Sequence, residues 1–222
     1  MKLRTSLPML IGLLLLACGS AQAEGELMVM PATTRVFNNH EQKVTVRNMG
    51  DAPLYLSISL QKVMNPGLVP ETKVPLGELE HPGMLASPER LTLGPGQSRK
   101  VSLKSLFEPV EEELYRLYIV PVRSLKVDDA PNDKISAPMS VSIGYGVLVR
   151  HMPAPDKQHT GWSHSCDVSG ITLTNTGNVR HVLSDVGKIG ETVALFPGTP
   201  HQFPGKSLSL RDNDQARTLD CL

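Results

Sequence analysis

Residues 139–149 (MSVSIGYGVLV) alternate. Met139, Val141, Ile143, Tyr145, Val147 and Val149 are apolar, and the positions between them are Ser or Gly until Leu148. A period of two predicts a strand with one apolar face. At ~3.3 Å per residue the run reaches about 36 Å, roughly twice an ordinary strand. Its opposite face carries almost no side chain. Arg150-His151-Met152-Pro153-Ala154-Pro155 follow, and the prolines break the ladder. Such a strand can complete its own sheet and still have apolar side chains left for another polypeptide.

Other strand-like runs precede it, separated by turn residues, and no amphipathic helix of useful length interrupts them. Residues 27–30 and 34–37 come first, divided by Pro31. Residues 43–47 (KVTVR) alternate, Asn48-Met49-Gly50-Asp51 turn the chain, and 54–60 put Leu54, Leu56, Ile58 and Leu60 on one face. Pro66-Gly67, Pro75, Pro82-Gly83 and Pro88 punctuate a loop-rich excursion. Residues 91–93, Gly94-Pro95-Gly96 and 100–103 read as a hairpin-like corner. Residues 114–122 form another strand, with Pro121 suggesting an edge or bulge, and 127–138 form a polar loop. Short strands at this spacing predict an all-β fold with immunoglobulin-like sandwich connections. Residues 24–153 suffice for one such domain, and 154–160 form a linker. Residues 161–222 contain further strand runs (170–175, 180–183, 191–196, 206–210) and form a second, small domain, short for a complete sandwich.

Charge adds an exclusion. Lys plus Arg number 22 against 22 Asp plus Glu, so no net field favours nucleic acid or an anionic membrane. Lys2, Arg4, the apolar residues 10–17 and Ala21-Gln22-Ala23 read as a signal peptide over 1–23, cleaved after Ala23 and too short to span a membrane. Its removal leaves the remainder at about −2. Leu15-Leu16-Ala17-Cys18-Gly19 also comes close to a lipobox, so lipidation at Cys18 is the competing reading. Cys166 and Cys221 remain, and an even pair in an exported chain predicts a disulfide. Closing a loop of about 55 residues contributes roughly 4 kcal/mol in the chain-entropy model.

Thr34-Arg35-Val36-Phe37, then Val44-Thr45-Val46-Arg47-Asn48, then residues 54–60 resemble the N-terminal domain of periplasmic pilus-assembly chaperones. There an Arg-Val-aromatic strand precedes an alternating strand ending in Asn and a long alternating strand. The corner at 91–103, the strand at 115–122, and a long strand running into a basic residue and a proline also match. The resemblance covers 26–153 well and the C-terminal part poorly. It lies closer to the alternate-type chaperones of common-pilus and class 5 fimbrial systems than to the best-known branch. It implies a periplasmic protein that holds fimbrial subunits (pilins) by β-strand addition and releases them at an outer-membrane usher. Met139, Val141, Ile143, Tyr145 and Val147 would be the donated row. Arg35 would bind the pilin's terminal carboxylate in the interdomain cleft through its planar fork. Where the best-known branch carries a cleft Lys, a gapless count from Pro153 places Leu148. Arg150, two residues on with the same parity, is then the substitute candidate.

Two other readings carry different expectations. A structural pilus subunit or adhesin would polymerise, although an internal alternating strand followed by a second β segment disfavours it. A periplasmic metal carrier would draw on Met28, Met30, His151 and Met152, but the His residues are scattered without ligand spacing. No cofactor is expected. No nucleophile elbow, HExxH motif or phosphate loop is present, so no catalytic residue is assigned. Asp128-Asp129 and Glu111-Glu112-Glu113 read as solvated loop charges.

Overall fold

The computed structural model describes residues 26–122 and 143–221. Residues 1–23, Met139, Val141 and the 127–138 loop lie outside them. Among the described residues the chain is all-β, with no α-helix. Ten strands come first: β1 (Leu27–Met30), β2 (Thr33–Phe37), β3 (Gln42–Asn48), β4 (Leu54–Val63), β5 (Lys73–Pro75), β6 (Met84–Ser87), β7 (Arg90–Leu93), β8 (Ser98–Ser105), β9 (Glu113–Pro121) and β10 (Tyr145–Met152). They form one sheet in the order β1-β3-β8-β6 and a facing sheet in the order β2-β10-β9-β4-β5, with β7 beside β4.

Alternation explains the sandwich. Leu54, Leu56, Ile58 and Leu60 of β4 are buried between the sheets, with Val44, Val46, Val101, Leu103, Leu117 and Ile119. Fully burying each such side chain contributes roughly 2 kcal/mol. The first strand region divides between the sheets. β1 pairs with β3, then the chain crosses at Pro31-Ala32 and β2 pairs parallel to β10.

Two expectations need correction. Residues 91–103 are not a hairpin: β7 pairs with β4 and β8 with β3, so the Gly94-Pro95-Gly96 turn carries the chain from one sheet to the other. Pro121 lies on a central strand, where it closes β9 opposite Leu56; the ladder tolerates it because it comes last. β10 ends at Met152, where the following prolines break the ladder as expected: it pairs through His151 with β9 and through Met152 with β2.

The second sandwich comprises β11 (Trp162–Asp167), β12 (Gly170–Asn175), β13 (His181–Ser184), β14 (Thr192–Leu195), β15 (His201–Phe203), β16 (Ser207–Asp212) and β17 (Gln215–Asp220). Its sheets run β11-β12-β15 and β14-β13-β16-β17 around Ile171, Leu173, Leu183, Val186, Leu195, Leu208, Leu210 and Leu219. β11 and β17 escape a periodicity reading because their side chains are mostly exposed and polar, and β15 because it has only three residues. The expected disulfide forms between Cys166 on β11 and Cys221 after β17, with Cα atoms 5.8 Å apart. It ties an edge strand of one sheet to the end of the other.

The two sandwiches meet through a small apolar contact in which Val63, Leu114 and Leu148 pack on Phe196 and Ala194. The loop after β4 presses against the same place. Gly67, at φ +88°, leaves so little room that a Cβ would fall 2.7 Å from the Ala194 carbonyl oxygen and 3.2 Å from the Phe196 ring.

Candidate cargo strand and interdomain arginine site

Parity along β10 sorts its side chains. Val147 and Val149 face the sandwich core and are 2% and 0% exposed. Tyr145 and Ile143 continue the same row but are 39% and 72% exposed. The difference lies at the strand's outer edge. β2 begins at Thr33, opposite Leu148, and the Leu148 N–H donates to the Ala32 carbonyl at 2.9 Å. Above Leu148 no described strand pairs with β10 on that side, while β9 still pairs with it as far as Tyr145. Val147 therefore belongs to the protein's own core, and the row open to a partner narrows to Ile143 and Tyr145 among the described residues.

The even-numbered face of β10 leads to the interdomain cleft. Arg150 and Arg35 are direct neighbours across the parallel ladder, so both project from the same face of the sheet. Their environments differ. Arg35 is exposed. Arg150 is buried and donates from Nε and Nη2 to Glu112 Oε1 and Oε2 at 2.5 and 2.7 Å, a bidentate pair with a carboxylate that is itself buried. Arg150 is thus no free cation for a ligand; it is held by Glu112. The expectation of solvated charges at Glu111-Glu112-Glu113 holds for Glu111, which is exposed, and fails for Glu112 and Glu113.

Glu112 does a second job. Its Oε2 accepts the Arg180 N–H at 2.8 Å, and its own N–H donates to the Asn178 carbonyl at 2.8 Å. Asn178 Nδ2 donates in turn to the carbonyls of Val110 and Lys157 at 3.2 and 3.0 Å. One buried carboxylate and one amide thereby fasten the second sandwich to the first. The Arg180 guanidinium lies over the Phe196 ring at 6.0 Å. Burial first, and then the positive charges of Arg150 and Arg35, push it below the usual guanidinium range, with Glu112 opposing. Sequence reasoning missed Arg180 because it precedes a short strand in a turn-rich segment without a periodic signal. Arg35, Arg150, Arg180 and Glu112 together leave an excess of positive charge in the cleft, a setting suited to a forked anion.

On the core side of the same strand, His151 is fully buried. Its Nε2 lies 2.8 Å from Ser105 Oγ and its Nδ1 3.2 Å from Glu113 Oε2. Glu113 also accepts from Tyr115 Oη at 2.7 Å and Lys62 Nζ at 2.6 Å. Burial pushes the Glu113 carboxyl up, but the hydrogen bonds from His151, Lys62 and Tyr115 outweigh it and hold the group at about 2. Glu112 and Glu113 are consecutive and serve opposite faces of the sheet. Among the described residues no three His, Cys, Asp or Glu side chains converge as a metal site requires.

No family model matches the chain. It is 28% identical over 165 residues to an Escherichia coli protein whose name makes it a CFA/I fimbrial subunit, covering 74% of this chain and 68% of that one. Among solved structures it is similar to the class 5 fimbriae chaperone CfaA, with a TM-score of 0.68 at 20% identity over 89% of this chain and 99% of that one. It is also similar to the SafB chaperone, solved in complex with the Salmonella enterica SafA pilin, with a TM-score of 0.57 at 13% identity over 90% and 99%. The chain therefore has, over nearly the whole length of those proteins, the two-domain immunoglobulin-like fold of fimbrial chaperones.

Proposed function

We propose that this protein is a periplasmic chaperone that holds fimbrial subunits by strand donation and passes them to an outer-membrane usher. The observation that carries the reading is the open upper edge of β10, where backbone groups and the Ile143 and Tyr145 side chains are presented together. A pilin lacking one strand has unpaired buried backbone groups, each costing about 1–3 kcal/mol, and an added strand satisfies them. Met139 and Val141 continue the alternation and extend the donated row.

The slot beside β10 is blocked from Thr33 onward by β2. A cargo strand seated there must stop or turn away at that point, close to Arg35. A chain end satisfies this constraint, and its carboxylate matches the exposed guanidinium. Arg150 supports the site from its pair with Glu112. In this reading the domain of residues 24–153 supplies the strand, 154–160 is the linker, and 161–222 form the small second domain. Residues 1–23 direct export and are removed after Ala23, with lipidation at Cys18 the alternative. The chaperones solved with a pilin or a tip adhesin support the same assignment.

The relative whose name places it in the fimbria itself favours a second reading, a structural pilin. Periplasmic co-expression with candidate pilins, pulldown and mass determination separates the two. A one-to-one complex is expected. Self-polymerisation of the purified chain, with no complex, would establish the second reading instead.

A further inference from the structure

Glu112 satisfies only part of the charge in the cleft. Its two oxygens are taken by the Arg150 guanidinium and the Arg180 backbone N–H. Among the described residues no carboxylate comes within 4.0 Å of the Arg35 or Arg180 guanidinium. Arg180 is half-buried and its backbone is fixed by Glu112, while its side chain lies on Phe196. Arg150 is the ladder neighbour of Arg35, and Glu112, which holds Arg150, also holds the Arg180 backbone, so the arginines border one cleft, where like charges oppose one another and an anion removes the opposition. Arg35 rises from the first sandwich and Arg180 from the second.

We infer that Arg180 is the second arm of the anion site. Arg35 and Arg180 grip one polypeptide-terminal carboxylate between the two sandwiches, and the Arg150–Glu112 pair positions them. The inference rests on the strand-donation reading for the identity of the natural cargo, but its chemistry can be tested without that cargo. Cargo affinity then depends on the relative placement of the two sandwiches, because each contributes one arm.

The test uses the mature chain labelled with nitrogen-15 and titrated with N-acetyl-glycylglycine, as the free acid and as the C-terminal amide. NMR follows the arginine Nε–Hε signals. The free acid is expected to shift the Arg35 and Arg180 signals together with one dissociation constant, and the amide to shift neither. Arg180→Ala should weaken the Arg35 response roughly 10-fold or more, as expected for losing a charge-assisted contact. Arg180→Lys, which keeps the charge but not the planar fork, should lie between. An unchanged Arg35 response in Arg180→Ala, or no response to the acid in the unsubstituted chain, overturns the inference. Pilin capture is scored separately. Capture that survives Arg180→Ala but not Arg35→Ala overturns the role of Arg180 and leaves the chaperone reading standing. No capture by the unsubstituted chain overturns the chaperone reading whatever the titration shows.

Discussion

Among the described residues, β10 has a strand on both edges at its lower end and one at its upper end. Val147 and Val149 at the lower end are core residues, whereas Ile143 and Tyr145, in the same alternation, stand open. The side chains do not account for the difference, since all four are apolar. What differs is where β2 starts. The lesson is that a period of two identifies a face but not its occupant, which depends on how far the neighbouring strand reaches.

The widest separation between the two ends should come from one substitution made at each. Val147→Asp places a carboxylate without a partner in the core, and the first sandwich should lose about 4 kcal/mol or more and unfold. Ile143→Asp carries the same chemistry at an open position. Its urea midpoint should match that of the unsubstituted chain while pilin capture is abolished. Equal loss of folding from both would return Ile143 to the core.

The adjacent arginines give the next contrast. Glu112→Ala leaves Arg150 buried without its counter-charge and should cost about 3–5 kcal/mol, measured by urea unfolding. Arg35→Ala, one ladder position across, should leave unfolding unchanged and weaken capture strongly. Capture unaffected by Arg35→Ala would remove Arg35 from the site.

A smaller effect concerns acid. The Glu113 carboxyl is depressed in the folded protein, so its contribution is complete above the unfolded value near 4.5 and is lost as pH falls toward about 2. The loss should be on the order of 3 kcal/mol, read from urea midpoints across that window. Glu113→Gln should flatten the dependence; a slope that persists in this variant would place the acid sensitivity elsewhere.

The strands that read clearly in the sequence were those with one apolar face. β1 to β4 lie close to their expected bounds, and β4 buries the four residues its alternation named. The Cys166–Cys221 bridge was legible because an even cysteine pair has one solution. Glu112 was not, because an acidic triplet resembles a solvated loop until its register is known. Once β9 is seen to begin at Glu113, neighbouring carboxylates fall on opposite faces, one reaching Arg150 and the other His151. Both partners lie 38 residues away along the chain, and no local pattern announces them. The role of Val147 was equally hidden, since nothing within residues 139–149 records that β2 stops at Thr33.

Gly67 has a consequence for anyone hunting variants by phenotype. Backbone touches backbone there, so the pose of one lobe against the other is written at a position with no side chain to lose. On the proposed chaperone reading, a genetic selection for cells that fail to assemble fimbriae would be expected to return changes at Gly67, a residue outside β10.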